Sequence, residues 1–252
     1  QSEWYVPQDI KLLRETTEEQ CLPILEAIGI RVVHNDLKKH YNLLRKVEVS
    51  ELNPFDIAEA LVDAKMDRTI HFDDAPKWIQ DTKNHDILAK TIKTLMQRHQ
   101  KDSSYGRMQE QIVACAIARA RDGSFTPLHS LRQADATDIK AFAPLNVQNM
   151  LLAEETPPDI CDLVRKVDAD WAIRLLESLP KDTLPRLWSE QPKAIIDILV
   201  WFSNHIVVTE RNIADRVKRL PIYPTDASLH LFYELIIILY KIGILSNIFI
   251  LF

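Results

Sequence analysis

The chain has 252 residues, 46% of them hydrophobic, which is enough to bury one large core or two smaller ones. Thirty-one Lys and Arg against 36 Asp and Glu leave a net charge of -5, which excludes the cationic surplus of a general nucleic-acid binder. Only four glycines are present, so backbone cradles for phosphate are scarce, and three widely spaced cysteines, Cys21, Cys115 and Cys161, fit a reducing, cytoplasmic setting better than a disulfide framework.

The opening Gln1-Ser2-Glu3-Trp4 has no basic stretch leading into an apolar one, so no signal peptide is expected and the start reads as that of a fragment. Thr17-Glu18-Glu19-Gln20 has capping-box spacing and predicts a helix over residues 18–28, with Gly29 as its left-handed terminating residue and Pro23 disturbing the first turn. Residues 30–33 read as a short extended segment. Asp36 is expected to cap the next helix, with Leu37, Tyr41 and Leu44 on one face. Asn53-Pro54 starts another, whose inner face is Ile57, Ala58, Leu61 and Val62 and which ends near Lys65. Polar connectors follow at 64–84 and 153–159, and Pro157-Pro158 marks the expected domain boundary.

Between the connectors, residues 112–118 read as an apolar strand that turns at Asp122-Gly123 into a second short strand. Asp-Gly supplies the positive backbone angles of a tight turn, so a β-hairpin is expected over 112–131. From Asp168, the residues Ala172, Leu175, Leu176 and Leu179 form a helical stripe, Asp170 and Arg174 are spaced for an exposed ion pair, and Pro180 closes the helix. Pro192 opens a helix over 193–202 that is apolar nearly all round and therefore central. Arg216, Lys218 and Arg219 read as a solvated face. The pattern of the first hairpin then returns about 100 residues later, with a strand at 217–223 and a turn at Asp226-Ala227, predicting a second hairpin over 217–230.

These elements predict an α+β chain, predominantly helical, with amphipathic helices and two β-hairpins packed on them. Three parts are expected: a helical region with the first hairpin over 1–155, a helical region ending in the second over 156–230, and an apolar tail over 231–252. The expected core includes Leu25, Ile28, Leu44, Ile57, Leu61, Ile112, Ala116, Leu175, Leu179, Ile195, Leu199 and Phe202. The tail has three readings: a membrane anchor, buried strands of a truncated domain, or a displaced reading frame. Glu234 and Lys241 inside it weigh against the anchor, since a charge at the centre of a membrane span costs about 2.5–3.5 kcal/mol.

Chemistry-bearing patterns are sparse. No Gly-x-Gly-x-x-Gly, phosphate-loop or Gly-x-Ser-x-Gly sequence occurs, and the histidines, among them His34, His40, His71, His85 and His99, lack metal-ligand spacing. Asp-x-Lys recurs five times without a shared context. Asp73 and Asp74 with His71 form the weak alternative: an acidic site for a divalent cation and a metal-dependent hydrolase, set against an ordinary turn or helix cap.

Two stretches carry a resemblance: residues 22–37, Leu-Pro-Ile-Leu-Glu-Ala-Ile-Gly-Ile-Arg-Val-Val-His-Asn-Asp-Leu, continued by Tyr41-Asn42-Leu43-Leu44-Arg45, and residues 220–226, Leu-Pro-Ile-Tyr-Pro-Thr-Asp. With Trp4-Tyr5-Val6-Pro7 at the start, they resemble segments of large sacsin-like proteins, which join an ATPase module of the heat-shock-chaperone and histidine-kinase type to long helical regions. The resemblance implies a chaperone-like or regulatory assembly. That ATP site needs an acid and an Asn on one helix, an Asp-x-Gly-x-Gly turn and a glycine-rich lid, and no such set occurs in this sequence. The implied role is therefore a non-catalytic coupling segment downstream of the module, with no cofactor, metal or nucleic acid and with protein partners or other domains of a larger chain. The sequence departs from the family pattern after Thr225. A stand-alone helical adaptor is the remaining reading.

Overall fold

The computed structural model describes residues 6–206, 215–217 and 219–220, and it is predominantly helical with two small sheets. The described residues form two compact units: those of Gln1–Gln133 with Gln148–Arg165, and those of Ala134–Val147 with Lys166–Phe252. The units part at 133/134, 147/148 and 165/166, where the sequence placed one boundary after 155. The reason is local: the Arg121 amide donates to the Gln148 and Leu151 carbonyls, the Ala153 amide to Arg119, and the Gln133 amide to Arg165, so residues 148–165 are fastened to the first unit.

The first unit begins with a small parallel sheet that the sequence did not indicate. Strand β1 (Ile10–Leu12) lies between β2 (Arg31–Val32) and β3 (Ser50–Glu51), paired Ile10 to Arg31 and Lys11 to Ser50. Helices α1 (Thr16–Gln20) and α2 (Leu22–Ala27) connect β1 to β2, and α3 (Asn35–Lys38) and α4 (Tyr41–Lys46) connect β2 to β3. The helix expected over 18–28 is thus two, broken at Cys21. The Thr17 capping box does not form: Glu15 precedes the helix and gives no side-chain cap, and Glu18 instead accepts the Arg14 amide at 2.7 Å. Gly29 does end α2 with φ +91°, and the Ile30 amide returns to the Leu25 carbonyl at 2.8 Å. His34, not Asp36, caps α3, its ring nitrogen accepting from the Asp36 amide.

Helix α5 (Pro54–Asp63) starts in a full capping box between Asn53 and Asp56, has proline in its first turn, and buries Ile57, Ala58 and Leu61. Helix α6 (Lys77–Gln80) then leads to α7 (Thr82–Arg98), whose inner stripe is His85, Leu88, Ala89, Ile92, Leu95 and Met96. Helix α8 (Tyr105–Val113) takes in Ile112, the first residue of the expected strand. Ile112 follows Met108 by one helical turn, so its burial is met inside the helix, and the strand shortens to β4 (Ala118–Arg119), which pairs with β5 (Phe125–Thr126). A last short helix, α10 (Pro158–Cys161), docks on α7, and one continuous apolar cluster runs from Leu13 to Val164.

The second unit is all helical among the described residues. It comprises α9 (Ala136–Phe142), α11 (Ala169–Ser178), α12 (Thr183–Glu190) and α13 (Pro192–His205), with α13 packed on α9 and α12. Its centre is aromatic: Phe142 meets Trp171 at 5.7 Å and Trp201 at 4.9 Å, both edge to face, and Trp201 stacks on His205 at 4.1 Å. Asp138, buried in the first turn of α9, accepts the Asp135 amide at 2.9 Å and the Trp201 indole N–H at 2.7 Å. The Asp170–Arg174 pair forms as spaced, and Arg216 reaches Asp170 at 2.8 Å and Glu177 at 2.6 Å.

Of the expected core, Leu44 and Leu179 are half-buried and the rest are buried. Val217, expected to open the second hairpin, sits in a helical turn, and the Leu220 amide returns to its carbonyl at 3.1 Å. Residues 218 and 221–230 of that hairpin, Asp226 included, and the tail over 231–252 lie outside the described residues. Among the described residues, no helix is long and apolar enough to cross a membrane.

Removing the indole donor leaves a buried carboxylate oxygen underpaired, a loss of about 1–3 kcal/mol for an unsatisfied group, with the packing loss added. Trp201→Phe is expected to lower stability by at least about 2 kcal/mol. Urea unfolding followed by circular dichroism checks this, and an unchanged midpoint refutes the bond's contribution.

Candidate functional site

The first hairpin and the segment before α6 are the two sequence-predicted sites, and the fold brings them together. In the hairpin, Ala118 pairs with Thr126 and Arg119 with Phe125. The turn closes through the Gly123 amide to the Ala120 carbonyl at 3.0 Å and the Ala120 amide to Ser124 at 2.8 Å, with Gly123 at φ +89°. Asp122 holds it from within, accepting the Ser124 amide at 3.0 Å and the Ser124 hydroxyl at 2.7 Å. Asp122 and Gly123 therefore do structural work in this turn.

Ile70 joins the hairpin as a partial third strand, exchanging two 2.8 Å backbone hydrogen bonds with Phe125. The chain then coils into a short 3₁₀ turn, Phe72–Asp74, in which the Asp74 amide donates to the His71 carbonyl at 3.0 Å. Phe72 stacks on Phe125 at 6.2 Å, and the Arg119 guanidinium lies over the Phe72 ring at 5.0 Å. His71, Asp73 and Asp74 are all exposed, and the Gln80 amide ties down the carbonyls of Phe72 and Ala75 at 3.1 and 2.7 Å. Among the described residues, no three His, Cys, Asp or Glu side chains are grouped to hold a metal ion. The acids sit beside the hairpin as parts of a turn.

Beneath the hairpin lies His85 of α7. It is buried, its Nε2 is bonded to the Ile117 carbonyl, and its ring meets Phe125 edge to face at 6.4 Å. A carbonyl only accepts, so Nε2 carries the proton. Burial pushes the imidazole pKa below its ordinary value; the Ile117 carbonyl opposes that shift, and nearby Arg119 adds to it. On the flank, Arg119 pairs with Glu155 at 3.3 Å and Arg121 with Glu154 at 2.7 Å, around a shallow polar cleft of about 230 Å³.

A larger open groove, about 590 Å³, runs between α8, the Leu128–Ser130 turn and residues 162–165. Its walls are braced by backbone acceptors: His129 Nδ1 meets the Val113 carbonyl at 3.1 Å, and Arg132 donates to the His129 and Leu131 carbonyls at 2.9 and 2.6 Å. The thiols are equally inert. Burial pushes Cys21 up to about 11 and Cys115 up to about 12, and raises Cys161 as well, so all three stay protonated and poorly nucleophilic at neutral pH.

The chain matches no family model, no curated protein and no solved structure. What sequence reasoning missed at this site are Phe72, His85 and Arg119. The signal for His85 was present, because it continues the apolar stripe of Leu88, Ala89, Ile92 and Leu95 at helical spacing. The meeting of Phe72 with Arg119 is a long-range event that no local pattern announces.

The His85 environment sets a pH dependence. Unfolded, the imidazole titrates near its ordinary value of 6.5; folded, it titrates lower, so the unfolded chain binds the proton first and stability falls as pH drops below about 6.5. His85→Gln keeps an N–H for Ile117 but not the titration. The loss of stability between pH 7.5 and 5.5 is therefore expected to be smaller in the variant, measured by urea unfolding at both pH values; equal losses would refute the assignment.

Proposed function

We propose that this chain is a non-catalytic scaffold or coupling segment of a larger, chaperone-like assembly of the sacsin type. The observation that supports it most is how the interior spends its ionisable groups. Glu18 accepts from the Arg14 backbone and from Arg98, His85 holds Ile117, and Asp138 holds Trp201. Each is committed to joining elements of its own unit, and none lines either of the two clefts described above. A catalytic acid or base needs reach to substrate and a pKa set for proton transfer, and these buried groups have no such reach.

The scaffold reading also accounts for the hairpin, which is clamped by Phe125, by the His85 bond and by the Arg–Glu pairs on its flank. A clamped turn suits a part that keeps its shape under load. The hydrolase alternative would need Asp73 and Asp74 to converge with His71, and all three stand exposed, the acids on the turn and His71 just before it.

Two measurements test the proposal. Calorimetric titration of the full chain with ATP and Mg²⁺ is expected to give no saturable heat, and tight nucleotide binding ends the scaffold reading. Asp73→Asn with Asp74→Asn is expected to leave the response of thermal stability to Mn²⁺, Zn²⁺ and Mg²⁺ unaltered. A metal-induced stabilisation abolished by the double substitution would move the function to the acidic turn.

A further inference from the structure

Among the described residues, exposed apolar side chains concentrate beside unpaired cations at helix α4 and its flanks. Leu43 is 60% exposed, Leu37 50% and Val47 45%, so three of the eight large hydrophobics that stand exposed among the described residues fall within one short stretch. No residue of α4 is fully buried. Leu43 and Val47 are four positions apart and joined by the Val47 amide to Leu43 carbonyl bond at 3.1 Å, which places them on one face. Lys46 follows Leu43 by three residues within α4 and so shares its side of the helix, and Lys39 stands exposed in the turn that leads into α4.

The charge around this face is opposite to that of the chain. Between His34 and Glu48 there are four Lys or Arg and two acids, in a chain of net charge -5. Lys38 is neutralised by Glu19 at 2.6 Å, Asp36 sits beside His34, and Glu48 takes the Gln8 amide at 3.1 Å. Lys39, Arg45 and Lys46 are exposed and have no acidic partner among the described residues; Arg45 instead lies over the Tyr41 ring at 5.8 Å. Apolar side chains ringed by uncompensated cations complement one chemistry, a segment that offers apolar anchors between carboxylates.

We infer that the α4 face is a docking surface for an acidic amphipathic segment of a partner protein, anchored on Leu43 and Val47 and steered by Lys39, Arg45 and Lys46. The inference deepens the scaffold reading and rests on it for the class of partner. Desolvating the leucine and valine supplies binding free energy, while the cations raise the association rate and reject basic partners. An anionic membrane would attract the same cations, but α4 has only six residues and offers two apolar anchors, a small face to sink into an acyl boundary, so a discrete peptide fits better.

The test uses a short designed helical peptide with leucines on one face and glutamates on the other, a version with every glutamate replaced by lysine, and phosphatidylserine and phosphatidylcholine vesicles. The full chain is expected to bind the glutamate peptide saturably and to reject the lysine peptide. A triple variant, Lys39→Glu, Arg45→Glu and Lys46→Glu, and a double variant, Leu43→Ser with Val47→Ser, are each expected to weaken binding at least about tenfold. All five side chains are exposed, so both variants should keep the parent circular dichroism. Absence of binding, equal affinity for both peptides, undiminished binding by folded variants, or stronger uptake by phosphatidylserine vesicles than by the peptide would each overturn the inference. None of these results bears on ATP binding, so the scaffold reading and this surface can fail separately.

Discussion

The hydrogen bond from His85 to the Ile117 carbonyl is the constraint on which the first unit depends. Helix α7 is the longest helix described, and it touches α1, α5, α6, α8 and α10. The chain that leaves α8 must cross the apolar side of α7 before it can form β4, and it does so with a backbone carbonyl facing inward. A buried carbonyl without a donor costs about 1–3 kcal/mol, so a donor on α7 is needed at that point. An aliphatic residue at position 85 would fill the space but leave the carbonyl bare, whereas the imidazole fills it, donates, and presents its ring edge to Phe125. Fixing Ile117 in this way fixes the register of the strand pair that follows, and with it the stacking of Phe72 and the place of Arg119.

The same logic governs the buried carboxylates. Glu18 has no exposed side-chain surface and is bonded to Arg98 and to the Arg14 amide, which joins α1 to the far end of α7. An isolated carboxylate in such a place would neutralise or force the fold open, and with its partners it orders three segments at once. Asp138 does the equivalent in the second unit, where one carboxylate closes the first turn of α9 and receives the indole of α13. Polar groups inside this protein act as pins between elements, and their removal costs more than the pins themselves contribute because the surviving partner stays buried.

How much of this was legible in the sequence follows from where the decisive contacts lie. The start of helix α5 was readable, because Asn53, Pro54 and Asp56 form it by local chemistry, though Val62, expected on its inner face, is 45% exposed; Gly29, likewise, ends α2 by its own backbone freedom. Helix α7 was passed over: its first residues are polar and its inner stripe includes a histidine and a threonine, which dilutes the apolar period. Residues 112–118 were misread because a short apolar run fits the end of a buried helix as well as a strand, and Met108 one turn earlier decides between them. Of the parallel sheet, only β2 was legible, within the extended segment over 30–33, and its pairing with β1 and β3 was not. Strands of two or three residues carry no periodicity, and their pairing is set by the helices that cross between them. At the hairpin the turn residues were legible and the clamp was not, since Asp122 and Gly123 act on their neighbours while Phe72, His85 and Arg119 meet from distant positions.

Net charge is a poor guide to what a partner of this protein meets. At physiological ionic strength the field of an exposed charge decays over about 8 Å, so the five excess negative charges of the chain are not felt together at any one place. What is felt is the local set, and on the hairpin flank that set is already balanced, Arg119 by Glu155 and Arg121 by Glu154. Around α4 it is not. The helix is short and half-unsupported because it serves only to carry the chain from β2 to β3, so its outer face was never required to bury anything. A crossover helix freed from core duty keeps whatever surface chemistry its sequence brings, and here the sequence brings leucine, valine, lysine and arginine to the same few turns.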